Sequence, residues 1–317
     1  MEEIHDIWVA EDSFIDDFAM ARAALSESEF RALEDKPRSI HFVLKPTEDG
    51  TAELDQLPHP IELKTNVDLV PGRLTPHLFE AKIGERVTGI YQGDPLSIRT
   101  ATRVRSIAYE YADAYDYDII LFDTSPSLGA LNRNLLSLAD GFLIPCAPDL
   151  FSVYGIRNIG SALSVWEKQF DTIFSLLSDA KRKNFPEQFV RFIGYTLYNA
   201  KRYAGGKNDL DLAQAHYNYA IQIPQTIEKF IAKENILDYD NVLKISIGDN
   251  AVIHTHNTFP SMSQKYHQPM WCLPSYDSLE AEDRSTIAGN QSRFLETQGA
   301  YRKFAEDFIR RIEALNV

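Results

Sequence analysis

The chain is short of cysteine, of long apolar runs and of positive charge, and each shortage closes off a class of function. Two cysteines among 317 residues, Cys146 and Cys272, make no disulfide framework, which fits a reduced cytoplasm. Cys146 follows an apolar run and is expected to serve as a small buried hydrophobe. No apolar stretch approaches the about 18 residues that would span a bilayer, and the opening Met-Glu-Glu is unlike a secretory signal. Lys and Arg number 32 against 46 Asp and Glu, a formal net charge of −14. That balance opposes a simple nucleic-acid binder, because phosphate contacts need clustered cations. Internal repeats and low-complexity segments are missing as well. With 44% hydrophobic and 25% charged residues, the composition is that of a globular chain long enough for one large α/β domain.

The most informative stretch runs from Tyr115 to Gly155. An apolar run, Ile119 to Phe122, ends on Asp123; a turn of small residues and proline comes next, then a helical pattern, then a second apolar run ending at Pro145. An apolar run without alternation is the pattern of a strand buried on both faces, and such strands belong to parallel sheets. Asp118–Asp123 and Gly141–Ile144 are therefore expected to be buried strands. A carboxylate at the carboxyl end of such a strand sits where open α/β sheets bind ligands, and Asp123 there can hold Mg²⁺ directly or through water. The simpler alternative is an aspartate that caps the next helix.

Periodicity sets the other expectations. Residues 11–35 form an acidic amphipathic stretch with Phe14, Ile15 and Phe18 on one face, and Ser26 with Glu29 makes a capping box. Ser39–Leu44 is ambiguous between strand and helix, and Glu48–Pro60 is a linker. Strands are expected at Val67–Val70, Phe189–Leu197 and Asn241–Ile247. Helices are expected at Leu96–Ala114, Ala130–Leu138, Ser152–Phe170 (with Trp166 in the core), Asp209–Ile221, Pro224–Ala232 and Asn290–Leu315. The expected organisation is an acidic helical and linker segment over residues 1–60. It is followed by an α/β domain over 61–317, with a helical insertion near 200–235 and a terminal helix.

Asp123-Thr124-Ser125-Pro126-Ser127-Leu128-Gly129, then Ala139-Asp140, Ile144-Pro145 and Phe151-Ser152-Val153-Tyr154-Gly155 together resemble the ParA/MinD family of deviant Walker ATPases. Asn66-Val67-Asp68-Leu69-Val70-Pro71-Gly72 resembles an upstream family segment. Pro260-Ser261-Met262-Ser263-Gln264 and Gln268-Pro269-Met270 resemble the approach to its late nucleotide-contacting strand. The resemblance implies a mostly parallel, doubly wound sheet, with ATP and Mg²⁺ as cofactors. It further implies Mg²⁺ held by Asp123 through water, and nucleotide contacts from Asp123, Ser125, Pro126, Ser127, Gly129, Leu273 and Pro274. It implies a homodimer, a centromere-binding partner protein, and non-specific DNA contact in a cytoplasmic, nucleoid-associated setting. The basic candidates for that contact are Lys181, Arg182, Lys183, Arg191, Lys201 and Arg202; a solvated loop in an acidic protein is the competing reading.

The family's phosphate loop, K-G-G-x-G-K-[ST], has no counterpart here. Gly205-Gly206-Lys207 is followed by Asn208 and preceded by no apolar strand, so it is expected to be a flexible basic loop. The D-x-D-x-Q segment is missing too, and with it the aspartate that orients the attacking water. Because Glu2–Trp8 resembles the segment immediately after the family's second strand, the chain is expected to begin beyond the opening β–loop–α–β unit of roughly 30 residues. Natural truncation and an internal Met1 both remain open. The expected function is a ParA-like partition or positioning scaffold that hydrolyses ATP little or not at all. The alternative is a non-enzymatic interaction or regulatory protein. His254-Thr255-His256 could place two imidazoles on one strand face, though without an evident third metal ligand. Asp149 is expected to cap the helix after it.

Overall fold

A computed structural model describes residues 2–125, 127–183, 185–203, 208–256 and 258–315, and shows a mixed α/β protein. By contacts the chain divides into two compact units, Met1–Ala139 with Trp166–Phe189, and Asp140–Val165 with Val190–Val317. Both Gly205-Gly206-Lys207 and Pro126 lie outside the described residues.

The first unit is mainly helical: α1 (Glu2–Asp16), α2 (Phe18–Ala23), α3 (Glu27–Glu34), α4 (Ile40–Asp49), α5 (His77–Tyr91), α6 (Pro95–Tyr115) and α7 (Ala130–Leu138). A small antiparallel pair, β1 (Ile61–Lys64) and β2 (Val67–Leu69), lies between α4 and α5. The expected capping box forms, with Ser26 accepting from the Glu29 backbone and Glu29 accepting from that of Ser26. Its core gathers Phe14, Phe18, Phe30 and Phe42, whose rings meet at 5.3–6.1 Å between centroids. The segment Ser39–Leu44 resolves as a helix: Ser39 is the N-cap of α4, accepting from the Phe42 N–H. It therefore lends no strand to any sheet.

Helix α4 is buried along most of its length, including His41, Lys45, Thr47 and Glu48. Buried polar groups need partners, and each is supplied. His41 bonds Thr75 Oγ1 at 2.6 Å and Glu48 at 2.9 Å, while Lys45 pairs with Glu48 at 2.8 Å and Asp49 at 2.9 Å. Burial works against the charge on Lys45, but its two carboxylate partners outweigh it and hold its pKa above the ordinary value. At the carboxyl end Arg86 donates to the carbonyls of Thr47 and Glu48 at 2.8 Å, and Gly50 closes the helix at φ 77°, where a Cβ would be strained. At the amino end Glu11, fully buried, accepts from the Ser39 N–H and hydroxyl at 2.6 Å each.

The second unit carries a parallel pair, β3 (Gly141–Cys146) and β4 (Arg191–Leu197), with Phe142 opposite Phe192 and Cys146 opposite Leu197. The connection between them includes α8 (Leu150–Leu176) and α9 (Asp179–Arg182), and α8 contributes residues to both units. Asp149 accepts from the Ser152 N–H at 2.8 Å, the expected cap of α8. Of the two strands β4 is the buried one; β3 is only partly covered, which corrects the expectation of a strand buried on both faces. Cys146 is fully buried, and burial pushes its thiol up to about 12.

Beyond β4 come α10 (Gln214–Ala220), α11 (Gln222–Phe230), α12 (Tyr239–Val242), α13 (Phe259–Tyr266), α14 (Ala281–Ala288) and α15 (Gln291–Glu313). The expected strand at Asn241–Ile247 is instead the end of α12 and a series of turns. Among the described residues this region meets β4 through an isolated parallel bridge, Ile236 to Phe192, with Leu237 N–H to Phe192 O at 2.9 Å, and through Ile247 N–H to Tyr195 O at 2.8 Å. Arg311 on α15 donates to Ile193 O at 3.0 Å, through space that Gly194 (φ 146°) leaves open; a Cβ there would stand 2.5 Å from the guanidinium. The described residues thus hold two two-stranded sheets, one antiparallel and one parallel.

For one carboxyl in the first unit burial outweighs the nearby positive charges of Arg22 and Arg31. Glu34 is 3% exposed with Oε1 unpartnered; burial, with Asp55 adding to it, pushes its pKa up to about 7. The unfolded chain ionises this group near the ordinary carboxyl value of about 4.3, so raising the pH favours the unfolded state until Glu34 ionises in the fold as well. Stability should therefore fall between about pH 4.3 and 7 and then level off. Denaturant titrations across that window should show a flatter profile for Glu34→Gln; an unchanged profile would assign the slope to other groups.

Candidate functional site

Helix α6 ends at Tyr115, where Asp116 takes the left-handed conformation at φ 58° and turns the chain out of the helix. Tyr115 and Tyr117 stack at 5.6 Å between centroids, the Tyr117 hydroxyl bonds Asp68, and His59 reaches the Tyr115 hydroxyl at 2.5 Å. From here the expected strand should run. Instead residues 118–124 have no regular structure and take part in no backbone ladder or turn bond among the described residues. Ile119, Leu121 and Phe122 are 37%, 71% and 44% exposed. This overturns the expectation that Asp118–Asp123 is a buried strand. The physical reason is pairing: a buried parallel strand exists only through its neighbours' hydrogen bonds and side chains, and none of the described residues flanks this one.

Asp123 is exposed and makes no hydrogen bond among the described residues. The turn after it is organised by a residue the motif does not single out. Asn132, 5% exposed, donates to Ser125 O at 2.6 Å and to Ser127 O at 2.9 Å, and lies 3.2 and 3.0 Å from their hydroxyls. Gly129 is the N-cap of α7 without a capping side chain. A Cβ on Gly129 would stand 1.9 Å from Glu80 Oε1, and that same oxygen accepts from the Leu131 N–H at 3.4 Å. The amino end of α7, where an anionic group is favoured, is thus served by the protein's own Glu80 carboxylate. A polar residue on the buried side of α7 was the available signal for Asn132. Glu80 left none, since 51 residues separate it from Leu131.

Leu273 and Pro274 belong to the second unit, in a 3₁₀ turn at Met270–Ser275. Leu273 is fully buried among Phe259, Tyr266, Met270 and Phe294. The structure therefore brings Asp123, Ser125, Ser127 and Gly129 together in one loop of the first unit, while Leu273 serves the core of the second and Pro274 follows it in the same 3₁₀ turn. Of the basic residues, Lys181 donates to Gly93 O at 2.6 Å and Arg182 to Phe174 O at 2.8 Å, both within the first unit. Lys183 borders a polar depression there with Arg105 and Glu110. In the second unit Arg191 opens β4, Arg202 pairs with Asp211 at 3.1 Å, and Lys201 is exposed. His254 and His256 each keep one buried ring nitrogen without a partner, and burial lowers both pKa values. Among the described residues no group of three or more His, Cys, Asp or Glu side chains could hold a metal.

The fit of this loop to Mg-ATP is partial. Asp123 is free to receive a hydrated cation, but the position for an anion at α7 carries Glu80, and the sequence supplies no phosphate-loop lysine.

Comparison with known proteins bears on this same region. The AAA domain family matches residues 104–176, from within α6 through α7 and β3 to the end of α8. Over this segment the chain is related to ParA/MinD-type P-loop ATPases. The cell division protein PomZ of Myxococcus xanthus is 32% identical over 101 residues, 32% of this chain and 27% of that protein. The chromosome partitioning protein ParA of the same organism is 31% identical over 106 residues, 33% of this chain and 32% of that protein. A Methanocaldococcus jannaschii protein is 28% identical over 97 residues, 31% of this chain. The chain thus spans about a third or less of the length of these relatives. The crystal structure of protein DIP2308 from Corynebacterium diphtheriae has a TM-score of 0.50 at 20% identity, covering 68% of this chain and 74% of that one, a likeness of fold. No helix among the described residues is long and apolar enough to cross a membrane.

Asn132 is the anchor of the ParA-like loop, so its loss should loosen the loop before it unfolds the unit. Asn132→Ala should cost about 1–3 kcal/mol, the usual effect of removing a buried hydrogen-bonding partner. Hydrogen exchange should quicken over 123–131 more than elsewhere; uniform quickening would mean that Asn132 acts only through global stability.

Proposed function

We propose that this chain is a ParA-like partition or positioning scaffold that retains the switch side of a nucleotide site and lacks the phosphate-loop side. The observation that carries the reading is the coincidence of two things. The family match covers residues 104–176, and within it the D-x-x-P-S-L-G turn from Asp123 to Gly129 stays organised by a buried Asn132. In this reading Asp123 would hold Mg²⁺ through water, and Ser125, Pro126, Ser127 and Gly129 would sense the γ-phosphate. Leu273 and Pro274 would border the adenine. The surfaces implied with it are a homodimer face, a contact for a centromere-binding protein, and DNA contact through Lys181, Arg182, Lys183, Arg191, Lys201 and Arg202.

Phosphoryl transfer requires cations on the transferring group and a positioned water. This sequence offers neither a phosphate-loop lysine nor the aspartate of the D-x-D-x-Q segment. As the chain stands it should not turn over ATP. The exposed, unladdered segment 118–124 favours a second reading, an interaction protein in which that segment is a contact surface.

Calorimetry with Mg-ATP on the 317-residue protein tests the first reading. Binding should be no tighter than millimolar, about −4 kcal/mol. Micromolar affinity, about −8 kcal/mol, would show a phosphate site built from other residues and end the inactive-scaffold reading. In a form fused to a β–loop–α–β unit with an intact phosphate loop, Asp123→Ala should abolish Mg²⁺-dependent hydrolysis with the fold intact. Undiminished turnover would remove Asp123 from the site.

A further inference from the structure

The first unit contains a cavity of about 100 Å³ between α5, α6, α7 and the later part of α8, lined by none of the residues Asp123–Gly129. Trp166, Phe170 and Phe185, each less than 9% exposed, give it an aromatic wall. Among the polar side chains that line it, Arg133, Asn134 and Gln169 have unused bonding capacity. Asn134 donates its amide to Ala101 O at 2.8 Å, which fixes the group, and its carbonyl oxygen is buried without a partner. The Gln169 carbonyl oxygen is likewise buried and unpartnered. The Arg133 guanidinium forms no hydrogen bond or ion pair among the described residues. Gly84, in the middle of α5 and exposed, stands on the lining with open space where a Cβ would lie. A glycine inside a helix costs roughly 1 kcal/mol relative to alanine, and here it keeps that part of the lining free of a side chain.

Two buried acceptors without donors are costly, and a purely apolar void would not present them. Their complement is a ligand with N–H donors; the complement of Arg133 is a carboxylate; the complement of the aromatic wall is a flat ring. An apolar cavity of roughly 150 Å³ takes up benzene; this one is smaller, so it suits a five-membered ring whose charged end lies at the mouth. We propose that this cavity binds a small heteroaromatic carboxylate, with its ring against Trp166 and Phe170. Its ring N–H is shared between the side-chain carbonyl oxygens of Asn134 and Gln169, and its carboxylate is held by Arg133.

Pyrrole-2-carboxylate is a probe of the right size and polarity. Titration by ligand-observed NMR and calorimetry on the full chain should give a dissociation constant in the millimolar range, as expected for so few atoms. Thiophene-2-carboxylate, which lacks the N–H, and pyrrole, which lacks the carboxylate, should each bind at least tenfold more weakly. Gln169→Leu should reduce the preference for pyrrole over thiophene, because only the Asn134 oxygen then remains to accept, and Arg133→Leu should erase the preference for the acid. Gly84→Leu should abolish binding while raising the melting temperature, because it closes the mouth and removes a helical glycine; this variant keeps the test sound if the Gln169 change fails to fold. Three results would overturn the site: no binding at about 10 mM probe, equal binding of the thiophene acid, or undiminished binding by Gly84→Leu. The first would leave the cavity as one filled by water alone.

Discussion

The first unit is built around a helix that is covered on nearly every side and is nevertheless polar. Burying α4 is possible only because His41, Lys45 and Glu48 satisfy one another and Glu11 and Arg86 satisfy its two ends. Breaking one member leaves a buried charge or carbonyl exposed to a low-dielectric interior, the costly half of the hydrogen-bond asymmetry. These partners come from α1 and α5, so the pairing of α4 also fixes the helices around it. The Phe14, Phe18, Phe30 and Phe42 rings then fill the apolar space beside it. Glu34 is the exception in this unit, a buried carboxyl whose pKa burial raises to about 7 against the weaker opposing pull of Arg22 and Arg31.

The same accounting explains the state of the ParA-like loop. The Asp123–Gly129 turn is held from below by Asn132 and faces Glu80 at the start of α7. The apolar run that leads into it, Ile119 to Phe122, has no such support. Side chains that suit the inside of a sheet lie exposed, and the backbone beside them is unladdered. Exposed apolar edges of this kind are what other chains pair with. The feature that weakens the nucleotide reading is therefore also the one that favours an interaction surface.

Several elements could be read directly from the sequence because their signals are local. The α6 and α7 helices, the long α15, the Ser26–Glu29 capping box, the Asp149 cap and strand β4 arise from periodicity and caps and occur where expected. Other positions depended on distant partners. Ser39–Leu44 was ambiguous because β-branched and aromatic residues suit a strand, and Glu11, Arg86 and Thr75 settle it as a helix. Asn241–Ile247 carries apolar residues at strand-like spacing, yet only isolated bonds reach it from β4, too few to make a ladder.

Within the candidate site, the sequence by itself determined the D-x-x-P-S-L-G turn, the helix after it and the family to which that segment is related. It determined equally that the chain has no phosphate-loop lysine, since a motif is a covalent order of residue types. Only the tertiary structure decided that Asp123 ends an exposed, unladdered segment, that Asn132 anchors the turn, and that Glu80 serves the first turn of α7. Those outcomes belong to groups brought together from far apart in the chain. An apolar run specifies a strand only when neighbouring strands are present to share its hydrogen bonds and cover its faces.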